Sequence, residues 1–165
     1  MAMSRDEREV LIAQYARGPE RIREALARVP KAALSWRPEA GKWSVHEVVV
    51  HCADSETNAT LRIRTLVAER EPLIVGYDQD AWARAFDYHS EPLEGALAVA
   101  SAARVRTVPL LRRLTDAEWG KEGRHTQSGR YTAEDWLRIY AAHLEGHAKQ
   151  IERNVEAWTA SSSSR

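Results

Sequence analysis

The stretch WSVHEVVVHCADSE, residues 43–56, decides the fold of its region, because it predicts a long amphipathic helix. Ser44 followed three positions later by Glu47 is a capping box, in which each residue satisfies a backbone amide at the helix start. Apolar residues then recur at helical spacing, which predicts a helix that continues to about Arg70. His51 lies at the edge of the apolar face, so this helix carries a polar side chain of a metal-ligating type beside its buried surface.

Helical periodicity continues on both sides of this stretch, whereas strand patterns are scarce. Towards the N-terminus, Ser4 and Glu7 form a second capping box, and Gly18-Pro19 either kinks the first helix or divides it in two. Towards the C-terminus, we predict a third long helix from about Glu91 to Leu114 and a last one from Thr132 to about Trp158.

Two connections separate these helices. The segment EPLIVGYDQDAWARAFDYHS, residues 71–90, contains a short predicted helix and is long for a connection in a compact domain. The segment KEGRHTQSGR, residues 121–130, is predicted to be a loop. Four main helices favour an all-α four-helix bundle, and the long first connection indicates a crossover between helices two and three, which would then run parallel.

Composition favours one soluble globular domain. The chain has 165 residues, of which 44% are hydrophobic and 29% charged, and we assign residues 1–160 to a single domain and 161–165 to a disordered tail. Because 24 basic residues balance 24 acidic ones, no net field attracts nucleic acid or an anionic membrane. The single cysteine, the lack of an apolar leader and the lack of a membrane-length apolar run favour the cytoplasm.

The motif HLEGH, residues 143–147, places two histidines on one face of the last helix. His143 and His147 stand four positions apart, so both rings can offer a nitrogen to one ion. Such a pair also arises by chance on a helix, so the spacing alone does not decide between a metal site and two unrelated histidines. The pair borders the apolar face, however, where an imidazole without a partner would be costly to bury.

The second and last helices carry matching polar stripes beside their apolar faces. In the second helix His51 is followed at helical spacing by Ser55, Asn58 and Arg62, and in the last helix the pair is followed by Gln150 and Asn154. Two inward polar stripes predict a shared polar pocket between these helices. Three neutral imidazoles would make a site with open positions, the pattern of catalytic rather than structural zinc.

Four segments resemble the DinB/YfiT-like family of metalloenzymes, and its YfiT-like branch most of all. The resemblance covers nearly the whole chain, and its most specific parts are WSVHEVVVH with the later Glu56, and HLEGHAKQI on the last helix. The chain departs from the family pattern at Cys52, where leucine is common, and at Leu144, where an acidic residue is common. The segments are RPEAGKWSVHEVVVHCADSE, YDQDAWARAFDYH, RVRTVPLLRRL and EWGKEGRHTQSGRYTAEDWLRIYAAHLEGHAKQIE.

The resemblance implies a four-helix bundle that holds one divalent metal ion, zinc or nickel, on His51, His143 and His147. It implies a metal-dependent hydrolase, or a transferase that uses a low-molecular-weight thiol, acting on a small molecule, and it implies a homodimer. Two alternatives stay open. One is a non-catalytic, stress-related binding protein with a structural or sensory metal, and the other is an isomerase that uses a metal-bound thiol.

Other residues are candidates for the same pocket. Glu56 is a candidate base or a hydrogen-bond partner of a ligand histidine, although it can equally pair with an arginine such as Arg62 or Arg104. His125 lies near glycines, where it can reach the mouth of the pocket. Arg62, Trp82 and Tyr140 are candidates for binding a cofactor or substrate, although aromatic residues at helical spacing can also be core residues.

Overall fold

The structure is a computed structural model that describes residues 2–163, and four long helices dominate it. The predicted all-α four-helix bundle is confirmed. The long helices are α1 (Arg5–Leu26), α2 (Val45–Ala68), α4 (Leu93–Arg113) and α6 (Ala133–Ser163); the short ones are α3 (Gln79–Ala85) and α5 (Asp116–Trp119). Three short strands are β1 (Leu73–Ile74), β2 (Glu122–His125) and β3 (Gly129–Thr132), and 3₁₀ turns cover Lys31–Ala33 and Tyr88–Ser90.

Side-chain caps begin the helices where the sequence predicts them. In α2 the Ser44 hydroxyl accepts from the Glu47 amide at 3.2 Å, and the Glu47 carboxylate accepts from the Ser44 amide at 2.8 Å. The same reciprocal bonds join Ser4 with Glu7 at the start of α1. They satisfy amides that have no partner inside the helix, which is why these boundaries can be read from sequence. Pro19 does not divide α1, which is one helix from Arg5 to Leu26.

Contacts between the helices show that α2 and α4 run parallel. Near their N-terminal ends His46 contacts the carbonyl of Glu91 at 2.8 Å, and further along both helices Thr60 contacts Thr107 at 3.3 Å. The segment between α2 and α4 therefore returns the chain to the end of the bundle where α2 began, as the predicted crossover requires.

The other long helices complete a bundle in which α1 lies beside α4 and α6, and α2 also lies beside both of these. Arg8 pairs with Glu134 and Arg21 with Glu145, so α1 and α6 are parallel. Trp136 near the start of α6 donates to the carbonyl of Ala59 in the second half of α2, so these two helices are antiparallel. Antiparallel packing brings the first half of α2 beside the middle of α6, and both segments carry histidines.

The segment 121–130 is not the predicted loop, because β2 and β3 form an antiparallel hairpin within it and β1 adds to β2 in parallel. A three-residue turn joins His125 to Gly129, whose φ of +78° is the left-handed conformation that such turns require. The strands are short and polar, so they lack the alternating apolar pattern of a strand buried on one face. Their pairing depends on the crossover, which supplies β1 from a distant part of the sequence.

The last helix continues to Ser163, beyond the expected end at Trp158. The expected disordered tail therefore overlaps α6 at 161–163, and residues 164–165 lie outside the described part of the chain. Within residues 2–163, none of the helices has the length and apolarity needed to span a bilayer.

Candidate metal centre

Three histidines from two helices meet inside the bundle. Ligand nitrogens of His51, His143 and His147 all lie within 4.8 Å of one another. The ring centroid of His51 is 5.5 Å from that of His143 and 4.8 Å from that of His147, and the latter two are 4.5 Å apart. The sequence predicted these three residues as one group, and the antiparallel packing of α2 against α6 brings them together.

The two rings on α6 face each other through their Nε2 atoms. The Nδ1 atom of His147 lies 2.9 Å from Oε1 of Gln150, one turn further along the helix. The Nε2 atoms of His143 and His147 lie 3.2 Å apart. Two nitrogens bound to one tetrahedral zinc ion at ordinary Zn–N distances would be separated by ~3.3 Å. The pair on α6 therefore already has the spacing of two ligands of one ion.

His51 is buried against Trp43, and the two ring centroids are 4.7 Å apart. Burial, together with the neighbouring His147 and His143 rings, lowers the pKa of His51 to about 2. Burial and the His143 ring likewise lower the pKa of His147 to about 4. Both rings are therefore neutral at pH 7, as metal ligands must be. The buried Nδ1 of His51 has no hydrogen-bond partner among residues 2–163, so this donor set fits a cation.

Glu56 is fully buried behind His143. Its Oε1 accepts a 2.6 Å hydrogen bond from Arg104 and lies 3.8 Å from Nδ1 of His143, and its Oε2 accepts from the Tyr15 hydroxyl at 3.2 Å. Burial raises the pKa of Glu56, but the His143 ring and the Arg104 guanidinium outweigh burial and hold this pKa below its ordinary value. Of the two arginines considered from sequence, Arg104 is the partner, and the carboxylate also faces the candidate ligand.

Arg104 joins α4 to the histidine-bearing helices. Its guanidinium donates to the backbone carbonyls of Tyr15 and Tyr140 as well as to Glu56, and it lies 4.1 Å from the centroid of the Tyr15 ring. Gly18 makes room for this group, because a Cβ there would overlap the guanidinium. Sequence reasoning named Arg104 as a possible partner but missed Tyr15 and Gly18, since only the packing of α1 brings them to this point.

A cavity of about 220 Å³ reaches His143 from the side of the hairpin. It brings together three residues predicted for the pocket, Arg62, His125 and Tyr140, but Trp82 does not line it. Trp82 instead packs on Tyr77, with ring centroids 4.4 Å apart, so it supports a residue of the cavity wall. The lining residues are Ser55, Arg62, Tyr77, Gln79, His125, Gln127, Ser128, Tyr131, Ile139, Tyr140 and His143.

The hairpin positions His125 at the cavity wall. His125 is the last residue of β2, and its Nδ1 accepts from the amides of Gln127 and Ser128 at 3.2 and 3.3 Å. Burial and the nearby Arg62 lower the pKa of His125, which favours the neutral ring. Because Nδ1 accepts hydrogen bonds, the proton of the neutral ring is on Nε2. Gln127 and Ser128 also line the cavity, and sequence reasoning missed them because the segment was read as a loop.

Comparison with known proteins agrees with this geometry. A protein of Oceanobacillus iheyensis, named a "putative metal-dependent hydrolase", is 34% identical over 112 residues, which cover 68% of this chain and 64% of that protein. YfiT of Bacillus subtilis, named in the same way, is 28% identical over 151 residues, covering 91% of this chain and 85% of YfiT.

Solved structures have the same fold. The structure of Bacillus subtilis YfiT, described as a four-helix bundle of unusual topology, superposes with a TM-score of 0.88 at 26% identity, over 96% of this chain and 91% of that one. A mycothiol-dependent maleylpyruvate isomerase superposes with a TM-score of 0.69 at 13% identity, over 87% of this chain and 60% of that one, which shows a shared fold alone. The profile of the DinB superfamily matches residues 14–151, and the chain belongs to this superfamily.

Proposed function

We propose that this protein is a metal-dependent enzyme in which His51, His143 and His147 hold one divalent cation, zinc or nickel. The observation that carries the proposal is the meeting of three ligand nitrogens, within 4.8 Å of one another, beside a cavity whose wall includes His143. A closed structural site would have four protein ligands and would not need a cavity, whereas catalytic sites keep a position open. The relatives named as metal-dependent hydrolases support the same reading.

When bound, the cation would lower the pKa of a water or thiol and polarise an electrophilic group of the substrate. The chain's own residues orient the site. Gln150 accepts from His147, and Glu56 faces Nδ1 of His143, so both Nε2 atoms turn towards the common point. We assign Glu56 this positioning role rather than that of a base, because it is buried behind His143, paired with Arg104, and does not line the cavity.

His125 would contact the substrate directly. It lies at the cavity wall, and the two backbone amides that bond Nδ1 leave the ring proton on Nε2. Such a ring donates a hydrogen bond to a substrate oxygen, and this bond can stabilise negative charge that develops there.

Hydrolysis is the leading reaction, because it is the one that the names of the relatives state. A second candidate is transfer of a low-molecular-weight thiol to an electrophile, since the same site that activates water also activates a thiol. A non-catalytic metal-binding protein is the remaining alternative. A cavity whose wall includes one of the candidate ligands, His143, favours an enzyme over this alternative.

Metal analysis tests the site. Purified protein should hold one equivalent of zinc or nickel, and His51→Ala and His147→Ala should each weaken binding by at least ~100-fold, because two imidazoles remain. His46→Ala is the matched control, since His46 lies on the same helix as His51 but contacts Glu91 instead of the cluster. Full metal content in both cluster variants, with their circular dichroism spectra unchanged, would rule out the three-histidine site.

Activity assays separate the candidate reactions. Metal-loaded protein is incubated with a panel of esters and amides, and separately with thiols and a haloarene, and the products are followed by mass spectrometry. Hydrolysis without conjugate formation supports the hydrolase, and conjugate formation supports thiol transfer. No turnover of either panel by fully loaded protein would favour the binding protein.

We also propose that the protein is a homodimer that acts on a small molecule. Light scattering measures whether it is a dimer.

A further inference from the structure

The cavity beside the histidines carries an uncompensated positive charge. Among its lining residues, Arg62 is the only lysine or arginine, and none is an aspartate or glutamate. A cation held by neutral imidazoles would add further positive charge at the inner end, because histidines do not neutralise it. A cavity of this kind favours an anionic guest by electrostatics alone.

Arg62 is half-buried and has no carboxylate partner among residues 2–163, whereas the buried Arg8 and Arg104 each have one. Its NH1 donates to the Tyr140 hydroxyl at 2.8 Å and its NH2 to the carbonyl of Val75 at 2.9 Å, and both acceptors are neutral. Its Nε is buried and has no hydrogen-bond partner among the described residues. Arg104, by contrast, pairs with Glu56. Guanidinium has five N–H donors, so Arg62 keeps unused ones at the cavity wall.

The groups around Arg62 are also hydrogen-bond donors. Tyr140 accepts from Arg62, so its own hydroxyl proton stays available. The buried hydroxyl of Tyr77 has no partner within residues 2–163. His125 carries its proton on Nε2, because Nδ1 accepts from two amides. Donors grouped around a cationic guanidinium match a ligand group that only accepts hydrogen bonds, and a carboxylate is such a group.

We infer that the substrate is a small molecule with a carboxylate, which binds Arg62 with support from Tyr77 and His125. The inference rests on the proposed function, whose substrate class it specifies. A single guanidinium among neutral donors matches the single charge of a carboxylate better than the higher charge of a phosphate. A volume of about 220 Å³ equals only about seven water molecules in the liquid, so the guest is small.

The same cavity wall orients the guest relative to the candidate metal. Arg62 and His143 both line it, as does Ser55, which is on α2 like Arg62 and has its hydroxyl 3.4 Å from Nε2 of His143. A carboxylate held by Arg62 therefore directs the rest of the molecule towards the histidines. The group that reacts should lie at the opposite end of the substrate from the carboxylate.

Calorimetric titration of metal-loaded protein tests this site with pairs of equal shape: propionate against propionamide and benzoate against benzamide, with inorganic phosphate as a third probe. We expect the carboxylates to bind more tightly than their amides. Arg62→Gln should weaken carboxylate binding by about 10- to 100-fold, the range for a hydrogen bond to a charged group. Arg64→Gln is the matched control, because Arg64 is also on α2 but donates to the carbonyl of Thr60.

The titrations are repeated after chelation, because carboxylates can also bind a metal ion directly. Carboxylate binding that depends on Arg62 in the chelated protein supports the inference. Equal affinity for acid and amide, no binding of any carboxylate, tighter binding of phosphate, or unchanged affinity in Arg62→Gln would each overturn it. If Arg62→Gln fails to fold, Arg62→Lys serves in its place. Lysine keeps the positive charge but lacks the planar guanidinium group. A protein that binds no metal but binds carboxylates through Arg62 would overturn the proposed function and leave this site standing.

Discussion

At the scale of single residues, the candidate site depends on side chains that are costly to bury and are therefore paired. The side chains of Glu56 and Arg104 are 0% and 1% exposed, and each supplies the opposite charge that the other needs. A buried ion pair adds little net stability, but removal of one partner leaves the other charge without compensation. The sequence indicated the three histidines by their spacing, whereas this supporting pair needed the tertiary contacts, because its two residues are 48 positions apart.

Glu56→Gln should lower the free energy of unfolding by about 3–5 kcal/mol, because it leaves Arg104 charged and buried without a carboxylate. Urea denaturation of the metal-free protein measures the change. The double variant Glu56→Leu with Arg104→Met is the control, and it should lose less stability than Glu56→Gln because neither charge remains. A stability equal to that of the wild type in Glu56→Gln would contradict the charged pair.

At the scale of elements, the start of α2 combines a local cap with a tertiary ion pair. The Glu47 carboxylate accepts from the Ser44 amide and also from the guanidinium of Arg37, whose Nε lies 2.9 Å from Oε2. Burial raises the pKa of Glu47, but the bonds from Arg37 and Ser44 outweigh burial and lower this pKa to about 2. The cap was readable from sequence, and the partner Arg37 was not.

The lowered pKa of Glu47 predicts how acid affects the stability of the protein. Because the folded pKa of Glu47 lies below its ordinary value of 4.5, its stabilising contribution is full above pH 4.5 and is lost as pH falls towards 2. Glu47→Gln should therefore show a shallower loss of stability over this range, by less than ~1.4 kcal/mol per pH unit, the limit for one proton. Urea denaturation at a series of pH values measures the slope. Glu39→Gln, at an exposed loop position, should keep the wild-type slope.

The hairpin shows where reasoning about elements failed. The segment 121–130 contains polar residues and glycines, as a loop does, and only the left-handed turn at Gly129 is a local hairpin signal. Its structure depends on β1, whose residue Ile74 lies opposite His125. The consequence is functional, since the hairpin carries three residues of the cavity wall that the loop interpretation could not place, Gln127, Ser128 and Tyr131.

At the scale of the whole molecule, the bundle closes around Gly18, where three helices meet. A Cβ at this position of α1 would lie 2.9 Å from Cβ of Leu144 on α6 and would overlap Arg104 on α4. Real side chains do not approach this closely, so the interhelical distances there require glycine. The same closeness lets Arg104 reach the carbonyls of Tyr15 on α1 and Tyr140 on α6.

Gly18→Ala should destabilise the protein by about 1–3 kcal/mol, the usual cost of overpacking a core. For a chain of this length, thermal unfolding should shift downward by roughly 2–4 °C for each kcal/mol. Gly95→Ala is the control, because a Cβ at this helical position meets nothing within 4 Å. That variant should be as stable as the wild type or slightly more so, since alanine favours helix. If Gly18→Ala unfolds at the same temperature as Gly95→Ala, the helices have room to separate.

The sequence by itself determined the long helices, the capping boxes and the pairing of His143 with His147 on one helix face, because each depends on periodicity or on contacts between near neighbours in the chain. It also predicted that His51 joins this pair, but only the packing of α2 against α6 brings the three rings together. Only the tertiary structure decided that Glu56 pairs with Arg104, that residues 122–132 form a hairpin, and that Arg62 faces a cavity without a counter-charge. Glu56 and Arg104 are 48 positions apart, and the hairpin pairs with β1 from the distant crossover. The stability of these contacts depends on burial and on partners from other elements, and a local sequence pattern predicts neither.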